Sequence, residues 1–368
     1  MTATTPRLSA LDGVRGVAAL LVMGLHIAGC LGSGLLGHGY LMVDLFFLMS
    51  GFVLSAGYGQ KLAAGGAGLW FSLKRLVRLY PLALIGLVLG AGVAVGLGLS
   101  GLRPLEDRPV LFVILGALFL PWLGGGLISP FNGPAWSLQL ELWINVAYGF
   151  VARWLTDRRL IALTGLAALL LIVLTLTSGH FDGGFANNDP GRSAGPWSYL
   201  VGWARVGFSF PLGVLLHRLW AAGRLSGLTS GMTLWIAPVA LLMIALPPMG
   251  LTPLYDLAAV MGLFPLLLIL CANAAVGVRG AAVNAVMGRL SYGLYVLHGP
   301  ILVAFRVLEP QGLSMPLRLG WYGLAAACAI AAAALAERWI DRPARRWASA
   351  KDNTATTSPS GTVQLRAA

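Results

Sequence analysis

Two ionisable side chains, Arg15 and His26, bracket ten uncharged residues in the stretch RGVAALLVMGLH. An imidazole changes charge near neutral pH, so a histidine held in apolar surroundings can take up, pass on or release a proton. At 100° per residue, eleven residues make three turns plus about 20°, so Arg15 and His26 share one helix face. The rise between them is about 16 Å. Carboxylates stand in similar settings. Asp44 lies near the start of VDLFFLMSGF, with Ser50 and Gly51 further along. Glu141 belongs to a stripe, Ser137, Glu141, Asn145 and Tyr148, spaced four, four and three, just after Trp136. Ser291, Tyr295 and His298 repeat the four-and-three spacing. Arg75 and Arg78, next to Lys74, are placed to grip one anionic group together.

The elements that carry these groups are apolar. The chain has 368 residues, 58% hydrophobic and only 10% charged, against about 25% charged in soluble domains. Apolar runs close to the roughly 20 residues that cross about 30 Å of hydrocarbon recur at 14–31, 40–58, 80–98, 136–154, 160–178, 199–217, 232–247, 254–275, 289–307 and 318–337. Strand-like alternation is absent, which argues against a membrane barrel. The expected fold is an all-α polytopic membrane bundle of about ten transmembrane helices. An eleventh run, 110–123, has the length of a re-entrant or interfacial segment. If it does not cross and the N-terminus is inside, only Arg103, Arg108, Arg192, Arg306 and Arg318 of the 25 cations fall outside, and Arg205 falls within a span. That bias places both termini in the cytoplasm and makes the net charge of +12 a matter of membrane orientation, not of nucleic-acid binding. The Asp12-bearing first run, with no cleavage-site pattern after it, reads as a retained helix.

The domain is expected to span 8–347, followed by a Ser/Thr/Ala-rich tail, 348–368, expected to be a disordered cytoplasmic segment. The polar loop 179–198 is expected outside. Cys30, Cys271 and Cys328 lie in apolar runs without metal-ligand spacing and read as buried, inert thiols. His38 and His180 read as solvated loop residues, and His217 as a solvated boundary residue beside Arg218. Gly86/Gly90 and Gly92/Gly96 have helix-packing spacing. No serine-hydrolase elbow, zinc-protease helix motif, phosphate-binding loop or paired-cysteine motif occurs.

An ionisable residue inside a span is costly and therefore a functional candidate. Each candidate also has a plainer reading: a packing role for His26, a positive-inside anchor for Arg15, an interfacial charge for Asp44, a structural hydrogen bond for Glu141, and contact with acidic lipid for Arg75 and Arg78.

Together the motifs resemble the acyltransferase family 3 membrane proteins. LDGVRGVAALLVMGLH resembles that family's arginine, ten residues, histidine signature at Arg15 and His26. VDLFFLMSGF resembles its second-span motif at Asp44, Ser50 and Gly51, and RLVRLYPL its Arg-x-x-Arg motif at Arg75 and Arg78. PAWSLQLE resembles its motif at Pro134, Trp136, Ser137 and Glu141. MGRLSYGLYVLH resembles the late segment at Ser291, Tyr292 and His298, with Met287 replacing the usual leucine. ERWIDRPARR resembles the closing segment.

The resemblance implies an O-acyltransferase of the bacterial inner membrane. Its donor would be cytosolic acyl-CoA, with acetyl-CoA the first expectation, and no metal is implied. Its acceptor would be a hydroxyl of a surface polysaccharide or lipid-linked glycan, and it would work among membrane lipids. On that reading His26, about mid-bilayer, is general base or covalent acyl carrier, oriented by Glu141 or Asp44. Arg15 faces developing negative charge. Arg75, Arg78 and Arg15 hold the donor, and Trp136, Ser137, Ser291, Tyr295 and His298 contact substrate. The alternative is a proton-coupled transporter or lipid flippase using His26, Asp44 and Glu141 as a relay.

Overall fold

The computed structural model describes residues 8–104, 106–181, 196–228, 233–246 and 252–344. The expected tail at 348–368 and nearly all of the loop 179–198 lie outside these residues. Twelve α-helices follow in chain order, and among the described residues there is no strand. They are α1 (Ser9–Cys30), α2 (Met42–Ala63), α3 (Gly68–Leu99), α4 (Pro109–Ala117), α5 (Trp136–Val151), α6 (Asp157–Ser178), α7 (Pro196–Ala221), α8 (Thr233–Ala245), α9 (Thr252–Ala258), α10 (Phe264–Ala272), α11 (Val278–Val307) and α12 (Met315–Ala336). A π-helical turn, Ala259–Leu263, joins α9 to α10 into one long element, and another, Glu337–Asp341, extends α12. Eight elements are long and apolar enough to cross a membrane, and α5 and α8 are shorter. The chain is a polytopic membrane bundle.

Each of the ten expected spans is helical. Several helices start earlier than the apolar runs do. α3 begins at Gly68 and not near 80, and α11 at Val278 and not near 289. Lys74, Arg75, Arg78, Arg279 and Arg289 mark a polar boundary but are good helix formers, so the backbone coils through them. α4 has nine residues, a rise of about 13 Å, and cannot span.

α1 runs along α11, and α2 along α7. At the second seam Gly51 and Gly213 are required. A β-carbon on Gly51 would lie 2.1 Å from the Phe210 carbonyl oxygen, and one on Gly213 would lie 2.1 Å from that of Leu48. Gly86 meets Val296 of α11, and Gly90 meets Phe131. A β-carbon on Gly92 or Gly96 would meet nothing within 4 Å among the described residues, so that pair makes no close approach there. Cys271 is buried as expected, Cys30 is half-buried, and Cys328 is exposed on the outward face of α12.

The two ends of the bundle differ. The end holding the α2–α3 turn and the start of α6 carries Lys61, Lys74, Arg153, Arg158, Arg159 and Arg218, and is called the basic end below. At the opposite end Arg318 of α12 donates to Glu309 and to the Cys30 carbonyl at the end of α1. The Arg318 guanidinium and the Tyr322 hydroxyl hold the Glu309 carboxyl below the usual carboxylate range.

Candidate active site

α1 and α11 bring two imidazoles together. The rings of His26 and His298 lie 5.1 Å apart between centroids, tilted by 56°. His26 Nδ1 donates to the Val22 carbonyl at 2.8 Å, and His298 Nδ1 donates to the Leu294 carbonyl at 2.9 Å. A carbonyl oxygen only accepts, so each ring carries its proton on Nδ1 and leaves Nε2 as the basic nitrogen. His298 Nε2 lies 3.4 Å from His26 Nδ1, in position to share that N–H weakly. His298 is fully buried, while His26 is half-buried with its Nε2 uncommitted to any described residue. His26 stands four residues from the end of α1, about 6 Å, nearer the opposite end than the middle, because α1 starts as early as Ser9.

Beside the pair, Tyr295 packs on His298 at 6.0 Å. Its hydroxyl lies 2.6 Å from Ser137 Oγ at the start of α5 and donates to the Pro134 carbonyl. Deeper along the α5 stripe, Glu141 accepts from Ser50 of α2 at 3.2 Å and from buried Arg75 of α3 at 3.5 Å. The next members of the stripe, Asn145 and Tyr148, are buried. Arg78, one turn beyond Arg75, is half-buried.

Arg15 and His26 do share a face, and both meet α11. Arg15 donates to Ser291 Oγ at 3.0 Å, to the Gly288 carbonyl at 2.8 Å and to Asp12 at 2.9 Å. These bonds fix the register of α1 on α11, the same register that pairs His26 with His298. Ser291 is thus engaged with Arg15 and not with the histidines.

Neither Asp44 nor Glu141 is hydrogen-bonded to His26. Asp44 is fully buried and gripped by Arg205 of α7, with contacts of 2.6, 3.1 and 3.2 Å. The guanidinium also lies 5.3 Å from the Trp136 ring, 5.1 Å from Phe181 and 5.8 Å from Tyr40. Trp136 therefore faces a cation within the protein. Arg205 was legible only as a cation well inside the span 199–217; a charge in that setting demands partners, and Asp44 is one of them. The Tyr40 hydroxyl and His38 Nδ1 both donate to buried Asp256, so His38 is a buried residue and not a solvated loop histidine. His217 is half-buried and bonded to Ser55 at 2.9 Å.

Removing one member of a buried ion pair strands the other, at a cost of about 3–5 kcal/mol. Asp44→Ala should therefore lower thermal stability sharply. Asp44→Ala combined with Arg205→Met should recover much of the loss. A thermal melt of the purified single and double variants in detergent checks both.

An uncommitted basic nitrogen inside a membrane bundle, with hydroxyl groups beside it and cations deeper toward the basic end, is suited to moving a group between partners that meet within the membrane. The fold defines a polytopic membrane protein, and the family match makes its class the membrane acyltransferases. The chain belongs to acyltransferase family 3, whose profile, described as an acyltransferase domain, matches residues 8–338. It is 28% identical to the acyltransferase MdmB of Streptomyces mycarofaciens over 317 residues, 79% of this chain and 78% of that protein. It is 39% identical to protein 2 in the picA locus of Rhizobium radiobacter over 181 residues, 44% of this chain and 92% of that protein. No solved structure matches the chain significantly.

Proposed function

We propose that this membrane acyltransferase moves an acyl group, acetyl in the first instance, from cytosolic acyl-CoA to a hydroxyl of a glycan-type acceptor. The basic end would face the cytoplasm, with both termini there, in a bacterial inner membrane. The observation that carries this reading is the free Nε2 of His26, held in a defined tautomer near the Ser137–Tyr295 hydroxyl groups, with the Arg75–Glu141 pair deeper along the bundle. His26 Nε2 takes the proton of the acceptor hydroxyl as the oxygen attacks the thioester carbonyl; the carbon–sulfur bond breaks and CoA thiolate leaves, taking up that proton. In the two-step form, Nε2 itself attacks the thioester carbonyl and CoA thiolate leaves; the acceptor oxygen then attacks the acyl carbon, the carbon–nitrogen bond breaks to return the neutral imidazole, and the acceptor's proton passes to the thiolate. His298 is the neighbour that receives the polarised Nδ1–H of His26 as positive charge develops. Arg75 and Arg78 hold the donor's phosphates.

Mass spectrometry of the purified protein after brief exposure to acetyl-CoA separates the two forms. An acetyl group on His26 indicates the carrier. Turnover without it indicates the base. No binding and no turnover would contradict the donor assignment.

Glu141→Gln keeps the size of the side chain and removes its charge. Because Glu141 neutralises Arg75, the variant should bind acetyl-CoA no more weakly, and more tightly if Arg75 is freed toward phosphate. Its turnover should fall, because Ser50 and Arg75 lose the carboxylate that holds them in place. Turnover and donor affinity measured on the same preparation check this, and full turnover would remove Glu141 from the catalytic set.

A further inference from the structure

At the basic end, one face of α3 carries Trp70, Lys74 and Arg78 at intervals of four, a strip about 12 Å long that points from the bundle's mouth inward. α2 faces it with Tyr58 and Lys61. Lys61 Nζ lies 3.4 Å from the centroid of the Trp70 ring. Lys74 Nζ lies 4.8 Å from the Trp70 centroid and 5.6 Å from that of Tyr58. The two rings stand edge to face, 5.8 Å apart. Tyr58, Trp70, Lys74 and Arg78 are half-exposed and Lys61 is exposed. Lys61 and Arg78 have no carboxylate within ion-pair distance among the described residues. Arg153 leans on the connecting turn, 3.5 Å from where a β-carbon of Gly65 would sit.

We infer that this aromatic and cationic platform is the seat of the nucleotide end of the donor, with the adenine on Trp70 and Tyr58 and the phosphates along Lys61, Lys74 and Arg78. The inference rests on the acyl-CoA reading above and names the residues that would distinguish a nucleotide-bearing thioester from a plain one. An indole ring that draws two ammonium groups is electron-rich, Trp70 is half-exposed, and purine bases stack on such rings. A base entering there takes the place of Lys61 on the ring. The exposed ammonium of Lys61, which has no carboxylate partner among the described residues, then turns to the phosphate on the ribose, while Lys74 and Arg78, further inward, meet the diphosphate. The order of groups along α3 is the order along the donor, so the pantetheine arm leaves Arg78 heading toward Glu141 and the histidines. The competing explanation is an interfacial aromatic belt with basic residues on acidic lipid, which would need no particular order.

The test uses the full chain in lipid nanodiscs, with CoA, 3′-dephospho-CoA and adenosine 3′,5′-bisphosphate as binding probes, and acetyl-CoA and acetyl-pantetheine as donors. Trp70→Leu should weaken CoA and adenosine 3′,5′-bisphosphate binding about 5- to 100-fold, the range for losing one base stack. It should shrink the advantage of acetyl-CoA over acetyl-pantetheine by the same factor. Lys61→Ala, an exposed change that leaves the bundle intact, should narrow the preference for CoA over 3′-dephospho-CoA. Unchanged nucleotide affinity in both variants, or equal loss with acetyl-pantetheine, would assign the platform to the lipid interface and overturn the inference. If the unaltered protein binds neither CoA nor adenosine 3′,5′-bisphosphate, the acyl-CoA reading falls with it; if it binds both and the variants match it, the platform alone falls.

Discussion

His26→Ala should lower acyl transfer by about 10²–10⁴-fold, the usual cost of losing a general base, or further if the imidazole carries the acyl group. The fold should survive. His26 is half-buried and its Nδ1 bond is to its own helix, so its removal strands no buried charge and leaves the α1–α11 seam, held by Arg15 on Ser291 and Gly288, intact. Acetyl-CoA affinity should change little, because the groups assigned to the donor lie on α2 and α3. Turnover is measured beside a thermal melt and a CoA titration. Near-normal transfer by a folded variant would return His26 to a packing role.

Arg75→Ala with Arg78→Ala should act on the other half of the reaction. Each charge-assisted contact is worth about 1.5–3 kcal/mol, so the pair should weaken acetyl-CoA binding by about two to four decades after allowing for non-additivity. The geometry adds a sign. Arg75 neutralises Glu141, so removing it leaves a carboxylate in the donor's path, and adding Glu141→Gln to the double variant should restore part of the affinity. Unchanged affinity in the double variant would mean that the two arginines meet lipid.

The spans were legible because lipid imposes length and apolarity on every crossing helix. Helix ends were not, since Arg75 or Arg289 stops an apolar run without stopping a helix. The shared face of Arg15 and His26 followed from helix geometry, and its partner is a second face of the same kind, Ser291 to His298 on α11. Which carboxylate meets which base was not legible. Asp44 and Glu141 sit on helices whose azimuth is set by distant contacts, Asp44 by Arg205 and Glu141 by Arg75 and Ser50. Spacing within one helix fixes a face; it does not say which neighbour that face meets. The pairing of His38 with Asp256 went unread for the same reason, so His38 read as solvated. They are 218 residues apart, on a loop and a helix with no motif to join them.

The central claim is that an acyl group leaves acyl-CoA for a hydroxyl at His26. The most direct measurement supplies acetyl-CoA labelled in the acetyl group to membranes from cells making the protein, making its His26→Ala form, or lacking it. Extracted glycans and lipids are then analysed by mass spectrometry. The account predicts a labelled O-acetyl product with the unaltered protein alone, released as free acceptor by mild base. Label incorporated equally with His26→Ala, or no product that depends on the protein, would contradict it.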